Sequence, residues 1–209
     1  MNHFSVIDVN NWKRKEIYHF FSRFDEPFFG ITANVDVTKA YQKSKDQGTS
    51  FFIYYLHKSL CAVNQLAALK YRILDEKVIE YSKIHASPTI NRDDGTFGYS
   101  FIHFSEDYHV FAHNADIEIQ RVRSSSNLFP PGNGIDAIHY SAIPWIQFTS
   151  ISHARNYKNT DSIPKISFGK AQIIANKFEM PCSVYVHHGL ADGRDVGEYL
   201  SLFQEYLNK

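Results

Sequence analysis

Apolar positions along this chain follow two periods. From Phe29 to Val37 they alternate, the pattern of a strand with one buried face. Between Ser50 and Leu69, Phe52, Tyr55, Leu56, Leu60, Val63 and Leu66 recur at spacings of three and four, which predicts a long, largely buried helix. Residues 12–23 read as a short first helix carrying Tyr18, Phe20 and Phe21, and a second helix follows Thr38, a residue suited to an N-cap. Tyr71 to Ile90 reads as a hairpin turning near Asp75 and Glu76. Asp93-Asp94-Gly95 marks a turn before a strand through Phe104, and Glu106 to Arg123 reads as a helix. A Pro- and Gly-rich loop, 129–134, precedes two long strand-like runs, 137–151 and 165–175. A turn at Asn176-Lys177 leads into a Val- and Tyr-rich strand that ends at His188. The last segment carries Val196, Tyr199, Leu200, Phe203, Tyr206 and Leu207 at helical spacing. This mixture predicts a single domain over residues 1–209, an α/β two-layer sandwich whose mixed, largely antiparallel sheet is covered by helices.

Composition narrows the partners more than the fold. The 22 basic and 22 acidic residues balance, so charge favours neither nucleic acid nor an anionic membrane surface. No apolar run approaches the length of a membrane span and no signal-like segment precedes the first patterned element, so the expected location is cytoplasmic. With 17 Phe and 13 Tyr, the chain can build a large core and an apolar ligand pocket. Cys61 and Cys182 fall in a helical and a strand pattern, where buried, reduced thiols are expected.

Candidate chemistry concentrates near the C-terminus, in Val186-His187-His188-Gly189-Leu190-Ala191-Asp192-Gly193. A histidine between a strand and an Asp-Gly turn is held on both sides, which suits a base that must be aimed at one proton. A neutral imidazole titrates near working pH, and a well-placed general base contributes roughly 10²–10⁴ in rate. His187 projects to the opposite side of the strand and is read as structural. A Ser-His-Asp triad is not indicated, because no serine sits in a nucleophile-elbow pattern. A metal site built from His187, His188 and Asp192 is disfavoured, because adjacent strand residues diverge.

Six further stretches, in order, extend the pattern over most of the chain: Asn11-Trp12-Lys13-Arg14-Lys15-Glu16, Val35-Asp36-Val37-Thr38, Ala62-Val63-Asn64-Gln65, Leu128-Phe129-Pro130, Ser141-Ala142-Ile143-Pro144-Trp145 and Phe168-Gly169-Lys170. With the histidine segment they resemble the chloramphenicol acetyltransferase family nearly from end to end. The resemblance implies acyl transfer from acetyl-coenzyme A, a co-substrate rather than a bound cofactor, to a small hydroxyl-bearing acceptor. It assigns the base to His188 and the oxyanion donor to Ser141. It pairs Asp192 with Arg14 in the N-terminal helix, and it gives Ser167 the place of a threonine that helps hold a water near the intermediate. Lys170 and Trp145 fall at coenzyme A-binding positions. Phe21, Pro27, Phe97, Phe129, Ile151, His153 and Arg155 fall at acceptor positions. The family packs three subunits with each site between two of them, so a homotrimer is implied.

The match departs from the family at both ligand ends. Ser50 stands where the family has a second coenzyme A-binding lysine, and Ala171 replaces an aromatic. In Ile151-Ser152-His153-Ala154-Arg155-Asn156, His153 and Arg155 replace apolar side chains; Asp25 and Pro27 replace a leucine and a cysteine. A guanidinium in an apolar pocket is costly unless paired, and Asp25 is a candidate partner if the two approach across a subunit interface. These substitutions predict an O-acetyltransferase with an altered acceptor site. The alternative is a non-catalytic, degenerate member acting as a binding module; the retention of His188, Asp192, Arg14 and Ser141 weighs against it.

Overall fold

The computed structural model describes residues 3–155 and 161–209; Asn156 lies outside them. In chain order the elements are β1 (Phe4–Val6), a 3-10 turn (Val9–Asn11), α1 (Lys15–Phe21), β2 (Phe28–Asp36), α2 (Thr38–Asp46), α3 (Phe51–Gln65), α4 (Ala67–Lys70), β3 (Tyr71–Leu74), β4 (Lys77–Tyr81), β5 (His85–Asn91), β6 (Phe97–Tyr99), α5 (Tyr108–Arg123), β7 (Ala137–Ala142), β8 (Lys165–Phe168), β9 (Gln172–Ile174), β10 (Lys177–His187) and α6 (Gly193–Asn208). The larger sheet has the order β2-β10-β8-β7-β5-β6, with β9 paired to β10 as well, while β1, β4 and β3 form a separate small sheet. The sheet is mixed and helix-covered, as the sequence predicts. Its centre is parallel, however: β5, β7 and β8 run the same way, and β10 turns the direction over to pair antiparallel with β8 and β2. Local alternation carries no information on which distant strand becomes a neighbour.

Several boundaries differ from the sequence pattern for identifiable reasons. Asp8 caps a 3-10 turn, and the first α-helix covers only Lys15–Phe21. Thr38 is the first helical residue rather than the cap. Its hydroxyl donates to Asp36 Oδ1 (2.6 Å) and accepts from the Phe178 N–H (2.8 Å), tying α2 to β10. Ser50 is the cap of α3 rather than its first residue, and the helix breaks at Leu66, which is extended, and resumes for one turn. β7 stops at Ala142, and 143–151 is loop: Pro144 has no N–H to give a ladder. The run 165–175 divides into β8 and β9 around Gly169-Lys170-Ala171. The following turn sits at Ala175 and Asn176, both at positive φ, as are Asp75 and Glu76 in the first hairpin. Such paired left-handed residues match the twist of two-residue hairpins. After Asp93-Asp94-Gly95 the strand covers only Phe97–Tyr99, with an isolated bridge at Ile102, and α5 starts at Tyr108 with Asp107 as its cap.

The core lies between the larger sheet and α3 and α6. Val196, Tyr199, Phe203 and Leu207 form the buried stripe of α6 and meet Phe168 and Cys182 of the sheet. Each such fully buried side chain contributes about 1.5–3 kcal/mol. A polar cluster buried there is satisfied: Ser59 Oγ lies 2.9 Å from Tyr140 Oη and 2.6 Å from Tyr199 Oη. α6 is fixed at its start by a capping box, in which the Asp192 side chain accepts from the Arg194 N–H while Asp195 accepts from the Asp192 N–H. That box ends the β10 strand and places His188 in the turn between the two elements.

Candidate active site

His188 follows the last residue of β10. Its backbone N–H donates to Pro27 O (2.8 Å), a bond to the segment just before β2. The imidazole is half-buried between two aromatic rings, stacked on Phe21 at 4.0 Å and tilted against Phe29 at 4.4 Å. Its Nδ1 is buried with no hydrogen-bond partner. For Nε2 to accept a proton, Nδ1 must carry the ring's other hydrogen. The ring is thus aimed by packing rather than by a carboxylate, and the expectation that Asp192 does not form a triad agrees with its contacts.

Arg14 explains what Asp192 does instead. The arginine stands immediately before α1, not within it. Its Nη1 donates to Asp192 Oδ2 (2.8 Å) and approaches Asp195 Oδ2 (3.4 Å), while Nη2 donates to the carbonyl of His188 (3.2 Å). The two nitrogens therefore serve different partners rather than forming a bidentate fork on Asp192. One arm holds the start of α6 and the other holds the His188 backbone. The bond from Arg14 holds the Asp192 carboxyl below its ordinary pKa, aided by the Arg194 N–H.

Ser141 and Ser167 do not meet His188 within one chain. Ser141, Ser167, Ser183 and Thr32 stand side by side in one row across β7, β8, β10 and β2. His188 lies five positions beyond Ser183, which places it about 16 Å along the strands and about 10 Å across them from Ser141. Ser167 is fully buried, and its Oγ lies 3.4 Å from His153 Nε2.

The face carrying this serine row is covered by the chain between β7 and β8, and it buries charge. The Arg155 side chain is only 4% exposed; its guanidinium rests 3.5 Å above the Phe28 ring, pairs with Glu26, and lies 3.9 Å from Asp161. Asp161 also accepts from Lys165 Nζ at 2.6 Å. Within one chain the partner of Arg155 is Glu26, while Asp25, the candidate partner across an interface, is exposed. Three histidines border the quartet. Burial and the nearby cations push His139 and His187 down to about 4, and His153 is also lowered, so all three are neutral near pH 7. His187 is buried and its Nδ1 accepts from the Gly189 N–H, consistent with a structural role.

The other expected acceptor residues fall in two groups. Phe21 and Pro27 border His188 directly, whereas Phe97 and Phe129 both pack on Tyr99 at the far edge of the sheet. Ile151 is half-buried in the covering loop. Glu26, Asp161 and Lys165 carry no local signal in the sequence, because their partners are distant. Phe29 was visible only as a strand residue, but Asp195, three residues after Asp192, has the spacing of a capping box.

A groove of about 710 Å³ crosses the C-terminal ends of the parallel strands, between the start of α3, the second half of α5 and Gly169-Lys170-Ala171. Its floor is apolar, with Ile53, Tyr55, Ile90, Ala142 and Met180. Ala142 adjoins Ser141, so the groove ends beside the serine row. Lys170 lines it. Trp145 does not: it stands next to the lining residue Pro144 and is 67% exposed. Among the described residues, no group of three or more His, Cys, Asp or Glu side chains is placed to share a metal ion, and no helix is long and apolar enough to cross a membrane.

A mixed, helix-covered sheet with a braced histidine after its longest strand defines an acyltransferase of the coenzyme A-dependent fold, and known proteins agree. The family model for chloramphenicol acetyltransferase matches residues 1–204, and this chain belongs to that family. It is 27% identical over 208 residues to chloramphenicol acetyltransferase 3 of Escherichia coli, covering 98% of this chain and 97% of that protein. It is 28% identical over 214 residues to a chloramphenicol acetyltransferase of Staphylococcus aureus, covering 99% and 96%. A solved chloramphenicol acetyltransferase structure superposes with a TM-score of 0.88 at 28% identity, over 98% of this chain and all of its own.

Proposed function

We propose that residues 1–209 act as one domain that transfers an acetyl group from acetyl-coenzyme A to a hydroxyl of chloramphenicol or another small alcohol, with His188 as general base and no permanently bound cofactor. The observation that carries this reading is the fixing of His188 at both backbone polar groups, its N–H by Pro27 and its carbonyl by Arg14, with its ring between Phe21 and Phe29. The imidazole takes the hydroxyl proton as the oxygen attacks the thioester carbonyl carbon. Ser141 donates a hydrogen bond to the tetrahedral oxyanion, an interaction worth about 3 kcal/mol in favourable sites. Collapse breaks the carbon–sulfur bond, and the departing thiolate recovers the proton from His188. Ser167, held near His153, keeps a hydroxyl beside the intermediate. Lys170 and Trp145 meet the coenzyme.

A site that uses His188 and Ser141 together needs a second copy of the chain, and we propose a homotrimer with each site between two subunits. The separation of the two residues supports this, as do the exposed Phe20, Phe24, Trp145 and Ile146 and the nine-residue edge strand β2. A cytoplasmic location fits a co-substrate drawn from cell metabolism. The acceptor is bounded by Phe21, Pro27, Phe97, Phe129, Ile151, His153 and Arg155. With the neutral His153 and the ion-paired Arg155 among these, the site favours a more polar alcohol over chloramphenicol.

Thiol release from acetyl-coenzyme A, with and without chloramphenicol, tests the reading. Release that needs an alcohol and vanishes in His188→Ala is expected. Coenzyme A binding without release for any alcohol would leave a binding module instead, and ordinary affinity and turnover with chloramphenicol would remove the altered-acceptor part. For the shared site, His188→Ala and Ser141→Ala chains are refolded together. Mixed oligomers should regain activity that neither parent has; no recovery in confirmed mixed oligomers would place both residues in one subunit's site.

A further inference from the structure

The groove beside the serine row has a second cation on its opposite wall. Lys170 lies after β8; Arg123 ends α5, across the ends of β5 and β7. Both are exposed, and neither makes an ion pair among the described residues. Arg121, two residues earlier, is committed to Glu118 at 2.7 Å, and Arg92, beneath the end of α5, is committed to the carbonyls of Val122, Phe97 and Asn127. Arg123 is left to face the groove. The one acidic residue in the lining is Asp116, about two helical turns back along α5. The remaining lining is neutral and mostly apolar, so the site joins an apolar channel to two uncommitted cations. That is the chemistry of a long neutral thread ending in phosphates. On the wall near Lys170, the Ser50 hydroxyl oxygen accepts from the Ile53 N–H of its own helix and supplies no charge.

Building on the acetyl-coenzyme A reading above, we propose that Arg123 is a coenzyme-specificity residue: with Lys170 it grips the phosphates of the nucleotide end from the opposite wall. A last-turn cation also suits the helix dipole, and that role alone would affect stability but not ligand choice.

Calorimetric titration of the wild type and of Arg123→Gln with coenzyme A, dephospho-coenzyme A and pantetheine separates these roles. Arg123→Gln should weaken coenzyme A binding about tenfold and lower its salt dependence, leaving pantetheine unchanged. Weaker loss with dephospho-coenzyme A would assign Arg123 to the ribose phosphate; equal loss would assign it to the diphosphate. Equal affinity of wild type and variant for coenzyme A overturns the proposal and leaves the acetyltransferase reading intact. An equal loss for pantetheine also overturns it, as a folding effect. A wild type that binds no coenzyme A removes both.

Discussion

The two faces of β10 differ in what they bury. Cys182, Val184 and Val186 face α3 and α6 in rows with Phe168, Ile166 and Tyr140, and there the sheet is an ordinary apolar core. Ser183, Tyr185 and His187 face the other way, in rows with Ser167, Lys165, Ser141 and His139. That side is nearly as buried, yet it holds two ion pairs and several histidines. Burial by itself therefore does not distinguish core from chemistry here; the polarity of what is buried does. The apolar face gains from the hydrophobic effect, whereas the polar face holds together because each charge has a partner. Gly30 shows how closely that face is packed: a Cβ there would enter the Tyr185 ring.

The largest effect should come from the boundary between the faces. His188→Ala is expected to lower turnover by roughly 10²–10⁴ or more in a thiol-release assay while coenzyme A affinity stays unchanged. A comparable fall in affinity would mean that the histidine binds rather than reacts.

On the polar face, Arg155→Met strips the partner from Glu26 and weakens the setting of Asp161. A loss of about 3 kcal/mol in denaturant unfolding is expected, much of it recovered when Glu26→Gln is added. Independent, additive losses would show that the network is not coupled.

Asp192→Asn tests the brace on His188. Arg14 and the Arg194 N–H depress the Asp192 pKa, so its contribution to stability is full above its ordinary value and is lost as pH falls through the depressed one. The stability gap between wild type and variant should be widest near neutral pH and close in acid. Turnover should fall about tenfold as the turn loosens.

His187 carries a smaller and differently shaped signature. Burial pushes it down to about 4 from an ordinary 6.5. The unfolded chain then binds a proton between those values while the native chain does not, so acid destabilises the protein over that window. His187→Gln should flatten the pH 4–6.5 limb of the stability profile; an unchanged slope would assign the loss to His139.

The least effect belongs to the thiols. Burial pushes Cys61 up to about 11 and Cys182 to about 12, so iodoacetamide at pH 8 should label neither appreciably in the native state, and Cys182 more slowly than Cys61. Rapid labelling of Cys182 would show that the apolar face opens more readily than its packing implies.

The sequence by itself determined the periods of the main helices and strands, though not their bounds, and the placing of a histidine between a strand and a terminal helix. Those features are written in local periods and in turn signals a few residues long, as with the Asp192-Gly193 pair after His188. The resemblance carried by the ordered motifs added the family, which the fold and the matches then showed. Tertiary structure decided the rest. It made β5, β7 and β8 parallel neighbours and so opened the groove. It brought Glu26, Asp161 and Lys165 around Arg155. It buried Arg72 completely, with its donors satisfied by the carbonyls of Leu69, Tyr71, Ile135 and Ala137. Each of these depends on a contact between residues far apart in the chain. A charge gives no local sign of whether it will meet water or a partner, because that is settled only when distant segments close over it.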